Sequence, residues 1–203
     1  MKTILRLELE FSSDLHHGTG DGIAGILDRA FCRDSEGVPY LMASAIKGKL
    51  RFGALRFLRS TEDPGLACRP EDGQPCGGSS CLFCQIFGSP RVTGQAIFED
   101  AYPRDRAWFR EVAARSGTML WSGPAQMRAT AAMSRAWQRA EPRHLFTTET
   151  MPAHLEFSAS IRGNLTERQV RILRQSAAIL NHFGGDSARG LGFCTYRIEE
   201  AGR

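Results

Sequence analysis

Apolar side chains recur at every second position in residues 2–12, 153–163 and 194–199. A period of two predicts half-buried strands, because successive side chains of a strand point to opposite faces of a sheet. Residues 95–102 form a fourth candidate strand. The positions expected to face the interior are Leu5, Leu7, Leu9, Phe11, Leu155, Phe157, Ala159, Ile161, Cys194, Tyr196 and Ile198.

Two other stretches follow the helical period. Ser44 is a candidate N-cap for a helix that runs to about Leu58. Thr166 and Gln169 have the spacing of a capping box, which predicts a second helix that runs to Phe183. The inward positions are Ile46, Leu50, Ala54 and Phe57 or Leu58 in the first helix, and Val170, Leu173, Ala177 and Leu180 in the second.

The order of these elements is β-α-β followed by β-α-β, with one irregular insertion in each half. The first insertion, residues 61–94, is rich in Gly, Pro and Cys, and the second, residues 117–150, is basic. Two such halves predict an α+β, ferredoxin-like (RRM-like) βαββαβ fold in a single domain over residues 1–203. In this fold the sheet packs on two helices and leaves one face open, which is a common platform for RNA.

The composition is that of an ordinary soluble globular protein, with 42% hydrophobic and 24% charged residues. No run approaches the roughly 18 apolar residues that a membrane span needs. Charges interrupt the N-terminal leucines, unlike in a signal peptide. We therefore expect a cytoplasmic protein without a membrane partner.

The basic residues comprise 23 arginines and three lysines, although the net charge is only +4. Arginine presents a planar fork that suits phosphates and stacks on bases. A GC-rich genome would produce the same bias, so this feature alone leaves both explanations open.

Four of the six cysteines lie within 17 residues, in the pattern C-x7-C-x4-C-x2-C. They are Cys68, Cys76, Cys81 and Cys84. Four thiolates would complete a closed tetrahedral zinc site. Disulfides or free thiols are the alternatives, and a cytosolic location disfavours disulfides. The pattern therefore predicts structural Zn²⁺, while Cys32 and Cys194 are expected to pack as small apolar side chains.

The segment SAIKGKLR, residues 44–51, combines a predicted helix start with three cations. A helix N-terminus offers unpaired N–H groups and a positive dipole to an anion. Lys47, Lys49 and Arg51 would add charge, and Gly48 would permit close approach of a backbone. A solvated helix face is the alternative, and it is favoured for Lys49 because helical spacing does not place all three cations on one face.

Asp28 is the acidic residue whose position is least explained by local structure. Asp34 begins the sequence Asp-Ser-Glu-Gly, which has ordinary turn chemistry. Asp28 instead follows an apolar pair and has Arg29 and Arg33 nearby. Such a carboxylate could position a metal ion or assist deprotonation of a hydroxyl, and a salt bridge is the alternative.

Four glycines occur within FGGDSARGLGF, residues 183–193. Glycine costs backbone entropy, so such a cluster indicates tight turns or the close approach of something large.

Three segments, in this order, resemble the RAMP superfamily, and in particular the backbone subunits of type III CRISPR effector complexes. GILDRAFCRDSEGVPYLMASAIKGKLR resembles the aspartate loop of that family followed by its SxxKGxxR helix start. CLFCQIFGSP resembles its cysteine-bearing loop, and FGGDSARGLGF resembles its glycine-rich loop, which packs against the guide RNA.

The resemblance implies a subunit that binds crRNA and is present in several copies along it, beside neighbouring backbone subunits and other subunits of the complex. It further implies that the subunit cleaves complementary target RNA at regular intervals with Mg²⁺ or Mn²⁺. Asp28 falls on the position of the catalytic aspartate. Residues 61–94 would form the zinc loop, and residues 117–150 would form the thumb, a hairpin that displaces a target nucleotide. The expected RNA-binding residues are Ser44, Lys47, Lys49, Arg51, Arg128, Arg135, Gly185 and Arg189.

Two other functions remain open at this point. One is a catalytically silent RAMP subunit that acts only in crRNA binding and assembly. The other is a metal-independent endonuclease that processes guide RNA, for which His16 and His17 are candidate residues.

Overall fold

The computed structural model describes residues 3–20, 22–23, 26–60, 68, 76, 78, 81–116 and 124–201. Its elements in chain order are β1 (Thr3–Phe11), α1 (Ala43–Ser60), α2 (Leu82–Phe87), β2 (Ile97–Phe98), β3 (Tyr102–Pro103), α3 (Arg106–Ser116), β4 (Gln126–Ser134), β5 (Arg139–Thr150), β6 (Glu156–Gly163), α4 (Glu167–Ala178) and β7 (Cys194–Glu200). A short 3₁₀ turn, Ser187–Arg189, precedes β7. No helix within the described ranges is long and apolar enough to cross a membrane.

The main sheet has the order β2-β6-β1-β7, and β3 also pairs with β6. Every pairing in it is antiparallel, and Leu7 at the centre of β1 lies opposite Ala159 on one side and Ile198 on the other. The two β-α-β halves therefore interleave, which confirms the predicted ferredoxin-like fold. The predicted strand 95–102 is divided into β2 and β3.

The alternating residues of β1, β6 and β7 form the core as predicted. Leu5, Leu7 and Leu9 are fully buried, and Phe11 packs edge-to-face on Phe157 with ring centroids 5.8 Å apart. Leu155 precedes β6 and is half-buried. The core thus lies between the sheet and the two long helices α1 and α4.

The capping box predicted for α4 is present. Gln169 N–H donates to the Thr166 hydroxyl at 3.3 Å, and Thr166 N–H donates to the Gln169 side chain at 2.8 Å. The helix ends at Ala178, earlier than the predicted Phe183. The residues that follow pair instead with the start of β7 and the residues before it, through Cys194 N–H to the Asn181 carbonyl at 3.0 Å and Phe183 N–H to the Gly192 carbonyl at 2.7 Å.

The start of α1 differs from the prediction, because the helix begins at Ala43 and Ser44 lies inside its first turn. The caps come from distant parts of the chain. Ala43 N–H donates to Asp100 Oδ1 at 2.7 Å, and Met42 N–H donates to His17 Nε2 at 3.1 Å. The N-terminus of α1 is therefore already capped by a carboxylate of the same protein, that of Asp100.

Two helices lacked a clear sequence pattern. α2 lies within the predicted cysteine-rich insertion, but its Phe83, Ile86 and Phe87 are buried in the core. α3 packs on the turn at Asp34 through arginine–carboxylate pairs. Asp34 is a turn residue as predicted, since its Oδ1 accepts N–H groups two and four residues further on at 3.0 and 2.9 Å.

β4 and β5 form a separate antiparallel hairpin within the second predicted insertion. Most described side chains of β4 are exposed, whereas the end of β5, from Thr148 to Thr150, is buried. This hairpin occupies the position that the resemblance assigns to the thumb.

We predict that acid destabilises this fold through His17. Burial, reinforced by neighbouring His16, lowers the pKa of His17 from 6.5 to about 4. As the pH falls below about 6.5, the unfolded chain binds a proton at His17 that the folded chain excludes. The free energy of unfolding should therefore fall by on the order of 2 kcal/mol between about pH 7 and about pH 5.

Urea unfolding of the wild type and of His17→Gln at both pH values measures this effect. Glutamine can still accept the Met42 N–H but does not titrate, so the variant should lose less stability on acidification. An equal loss in the two proteins would contradict the assignment.

Candidate functional site

A cavity of about 720 Å³ lies between α1, the segment after β1 and the glycine-rich loop. We call it the α1 groove. The described residues that line it are His16, His17, Gly18, Gly20, Arg29, Ala45, Gly48, Lys49, Phe52, His182, Phe183, Gly184 and Gly185. This described lining includes cationic side chains and no carboxylate, so the groove suits an anionic ligand.

One stripe of α1 forms a wall of the groove. Ala45, Gly48, Lys49 and Phe52 are spaced i, i+3, i+4 and i+7, and therefore share a helix face. The sequence spacing had favoured a solvated role for Lys49, yet Lys49 is the α1 lysine that lines the groove.

The other predicted residues of α1 lie outside the described lining. Ser44 is exposed, and Lys47 is half-buried. Arg51 places its guanidinium 5.6 Å from the ring centroid of Phe83, a residue of α2. Arg51 thus contacts the cysteine-bearing segment.

Lys49 forms a hydrogen-bonded pair across the groove. Its ammonium donates to His182 Nε2 at 2.9 Å, which requires that nitrogen to be unprotonated. Burial lowers the pKa of both side chains, and the adjacent Lys49 charge lowers the pKa of His182 further. The pair leaves a cation at the groove wall without a neutralising carboxylate among its described hydrogen-bond partners.

The two histidines after β1 have structural partners. Both are 6% exposed. His16 Nδ1 donates to the Glu149 carbonyl at 2.7 Å, and His17 Nε2 accepts the Met42 N–H. Each ring therefore fixes neighbouring backbone, which does not favour the histidine-based endonuclease considered above.

Asp28 is exposed and is held by Thr147 of β5. Its Oδ2 accepts the Thr147 N–H at 2.7 Å and the Thr147 hydroxyl at 3.0 Å. These bonds, the backbone bond first, hold the pKa of Asp28 below its ordinary value. Asp28 thus presents an ionised carboxylate whose described hydrogen bonds all go to one oxygen.

The arginines near Asp28 in the sequence pair with other carboxylates. Arg33 forms a buried ion pair with Glu149 at 2.6 Å, and Arg29 pairs with Asp186 at 3.2 Å. Among the described residues Asp28 has no ion pair, so the salt-bridge alternative is not observed.

At least one glycine of the glycine-rich loop is required by contacts within the protein. Gly184 has φ +86°, and a Cβ there would collide with the His16 carbonyl oxygen. Gly185 lines the groove. Arg189 is half-exposed and pairs with Asp186 at 3.5 Å, so Asp186 contacts both Arg29 and Arg189.

The hairpin carries the two remaining predicted RNA contacts, Arg128 on β4 and Arg135 in the turn, and both are exposed. Neither belongs to the described lining of the α1 groove. Trp137 in the same turn is 74% exposed, with the Arg139 guanidinium 5.9 Å from its ring centroid. The sequence pattern did not single out Trp137 or Phe52; their available signals were an aromatic residue in a basic turn for Trp137 and one on the same helix face as Lys49 for Phe52.

The open face of the main sheet carries balanced charge. Ion pairs there include Arg104 with Glu156 at 2.6 Å and Arg197 with Glu10 at 3.6 Å. This face was the expected platform for RNA, but the α1 groove has the more cationic lining.

The four clustered cysteines converge as their spacing predicted. Their Sγ atoms all lie within 4.8 Å of one another, with Cys76 and Cys68 3.8 and 3.9 Å from Cys84. Ligands about 2.3 Å from a tetrahedral zinc would lie about 3.8 Å apart, whereas a disulfide requires about 2.05 Å. The cluster can hold a metal ion such as zinc, and it is the only group of three or more potential ligands among the described residues.

Comparison with known proteins identifies the family. The sequence profile of the RAMP superfamily matches residues 8–195. A chain of the type III-B Cmr-beta bound to cognate target RNA has 13% identity and a TM-score of 0.65, with 96% of each chain covered. A chain of the apo state of the type III-B Cmr-beta has 13% identity and a TM-score of 0.64, with 97% of each covered.

No curated protein matches the sequence significantly. At 13% identity, the two cryo-EM structures establish a shared fold. The profile match over most of the length confirms the resemblance at the level of the family. The chain belongs to the RAMP superfamily.

Proposed function

We propose that this protein is a backbone subunit of a type III CRISPR effector complex, which binds crRNA and cleaves complementary target RNA at regular intervals. The observation that carries the proposal is an exposed, ionised Asp28 fixed by Thr147, directly before Arg29 of the cationic α1 groove. Membership of the RAMP superfamily and the fold shared with type III-B Cmr-beta chains support it.

The α1 groove is the proposed path of the guide RNA. Lys49 and Arg29 supply cations toward the phosphates, and Gly185 leaves room for close approach of the RNA backbone. Phe52 is 51% exposed on the same wall, where its ring can stack on a base. These contacts do not read base edges, so binding would be independent of guide sequence.

Asp28 is proposed to hold Mg²⁺ or Mn²⁺ together with phosphate oxygens of the RNA. Mg²⁺ in phosphate sites is held by one or two carboxylates, substrate oxygens and water, which fits a single carboxylate with Oδ1 available. A bound ion would stabilise negative charge on the reacting phosphate. Because Oδ2 already accepts two hydrogen bonds, Asp28 is better suited to this role than to that of a general base.

The hairpin is the proposed thumb. Its exposed Trp137, beside Arg139, can insert between bases and displace a target nucleotide. Splaying that nucleotide allows its 2′-hydroxyl to align with its own phosphate. One thumb per subunit would make the cuts regular along the target.

The cysteine cluster is the proposed structural zinc site. The segment that follows Cys84 is tied to α4, because the Gln169 amide donates to the side chains of Gln85 in α2 and Gln95 after it, at 3.1 and 3.0 Å. Zinc here would order the loop near α1 without taking part in cleavage.

Asp28→Asn should abolish most cleavage and leave assembly intact. The variant keeps the shape of the side chain but removes its charge, while the groove contacts are unchanged. In a complex reconstituted with guide RNA, cleavage should fall by at least about 10²-fold and target affinity should stay within about twofold. Wild-type activity should stop when EDTA removes the metal.

Asp34→Asn is the matched control, since Asp34 serves a turn and its variant should still cleave. If Asp28→Asn cleaves normally, the catalytic assignment is wrong. If the wild type binds its target but never cleaves it, the protein is the silent assembly subunit.

Asp186→Asn should strengthen binding to guide RNA. Asp186 pairs with Arg29 and Arg189, so removing its charge frees two cations for phosphates. Asparagine tolerates the left-handed backbone at this position, φ +56°. We expect severalfold tighter binding and a steeper dependence of affinity on salt, by up to about one unit of log–log slope.

Glu156→Gln is the control, because it removes a carboxylate paired with Arg104 on the open sheet face. Guide affinity should be unchanged in this variant. Weaker binding by Asp186→Asn would contradict the role given to these arginines.

Cys81→Ser should remove the metal from the cysteine cluster. Purified wild type should contain about one Zn²⁺ per chain by elemental analysis, and the variant much less. Because metal and local order are coupled, proteolysis within residues 61–94 should accelerate while the two β-α-β halves stay folded. Cys32→Ser, which alters a buried cysteine outside the cluster, should retain its zinc, and a wild type without zinc would refute the site.

A further inference from the structure

Two side chains of β5, Thr147 and Glu149, contact the loop of residues 28–33. They are two positions apart on a strand and therefore point to the same side. We infer that both are positioning residues for Asp28, and that β5 makes this loop and the thumb hairpin move as one unit. The inference rests on the proposed function, and its consequence is that Thr147 controls the rate and the position of cleavage through Asp28.

Thr147 controls the orientation of the carboxylate. Its hydroxyl lies 3.0 Å from Asp28 Oδ2 and 3.2 Å from the Ile26 carbonyl oxygen, and its backbone N–H lies 2.7 Å from Oδ2. The hydroxyl has one hydrogen, which it donates to Oδ2 in place of the competing Ile26 carbonyl, and its oxygen accepts the Asp28 N–H at 3.3 Å. Loss of this group would leave one bond to Oδ2 and let the carboxylate rotate.

Glu149 holds the other end of the loop. Its carboxylate accepts the Phe31 N–H at 2.8 Å and both terminal nitrogens of Arg33 at 2.8 and 2.6 Å. The Glu149 side chain is only 1% exposed. Removing one partner from such a buried pair leaves an uncompensated charge, so the loop is strongly held in place.

The backbone completes the connection. Asp28 and Arg29 N–H groups both donate to the Thr147 carbonyl, at 3.0 and 3.1 Å, and Glu149 N–H donates to the Arg29 carbonyl at 2.9 Å. The loop thereby lies beside β5 and forms one isolated parallel bridge with it, between Arg29 and Thr148.

β5 runs from this contact to the hairpin turn that carries Trp137, with a bulge in its pairing to β4 between Ala140 and Leu145. A base displaced by the turn and a phosphate approached by Asp28 are therefore positioned by the same strand. Small errors in such positioning are costly, because a misplacement of about 1 Å can reduce a rate about 10²-fold.

Thr147→Val in the reconstituted complex tests the inference. Target affinity should stay within about twofold, while the single-turnover rate at saturating target falls about tenfold or more. Products mapped at nucleotide resolution should spread to bonds adjacent to the normal site. Thr147→Ser keeps the hydroxyl and should restore both rate and position.

Thr130→Val is the matched control. It makes the same substitution in the same hairpin, where the hydroxyl donates to the Phe146 carbonyl and not to Asp28. Its cleavage rate and cleavage position should equal those of the wild type. An equal spread of cleavage positions in both valine variants would overturn the inference, since the effect would then come from the hairpin in general.

Hydrogen exchange supplies a readout that needs no cleavage. The amides of residues 28–33 should exchange faster in Thr147→Val than in Thr147→Ser or Thr130→Val. Failure of the proposed function would appear separately, as normal cleavage by Asp28→Asn. In that case hydrogen exchange alone would show whether Thr147 holds the loop of residues 28–33. Unchanged exchange in Thr147→Val, or wild-type cleavage at the wild-type bond, overturns the inference.

Discussion

Glu149 joins three segments of the candidate site through its buried carboxylate and its backbone carbonyl. It accepts two hydrogen bonds from Arg33 and one from the Phe31 backbone, while the Glu149 carbonyl accepts a bond from His16. Taking these charges out of water is costly, and the cost is offset only when every partner is present. The segment after β1, the aspartate loop and β5 are therefore fixed relative to one another.

The same tendency of charged groups to pair explains the distribution of charge over the protein. Several described arginines outside the groove pair with nearby carboxylates, and the first N–H of α1 already has Asp100 as its anion. The cation on the groove wall is instead paired with a neutral ring, that of His182. An incoming phosphate would thus meet less competition from carboxylates at Lys49 than at the helix N-terminus or the open sheet face.

Much of the fold could be predicted because its signals are local. Leucines at alternate positions predict β1, and Thr166 with Gln169 predicts the start of α4, since both patterns depend on backbone geometry over a few residues. α2 could not be found this way, because it has only six residues and its burial depends on packing against α1. α3 is likewise held on the Asp34 turn by ion pairs between distant residues.

The sequence by itself determined the strand pattern, the capping box, the spacing of the four cysteines and, through the family resemblance, Asp28 as the candidate catalytic residue. Only the tertiary structure decided what holds that residue, because Thr147 is 119 positions away. It also decided that Lys49 lines the groove, since a helix face acquires its role from the loops that pack beside it. Partners so far apart in the chain are brought together by the interleaved strands, a property of topology that local periodicity does not contain.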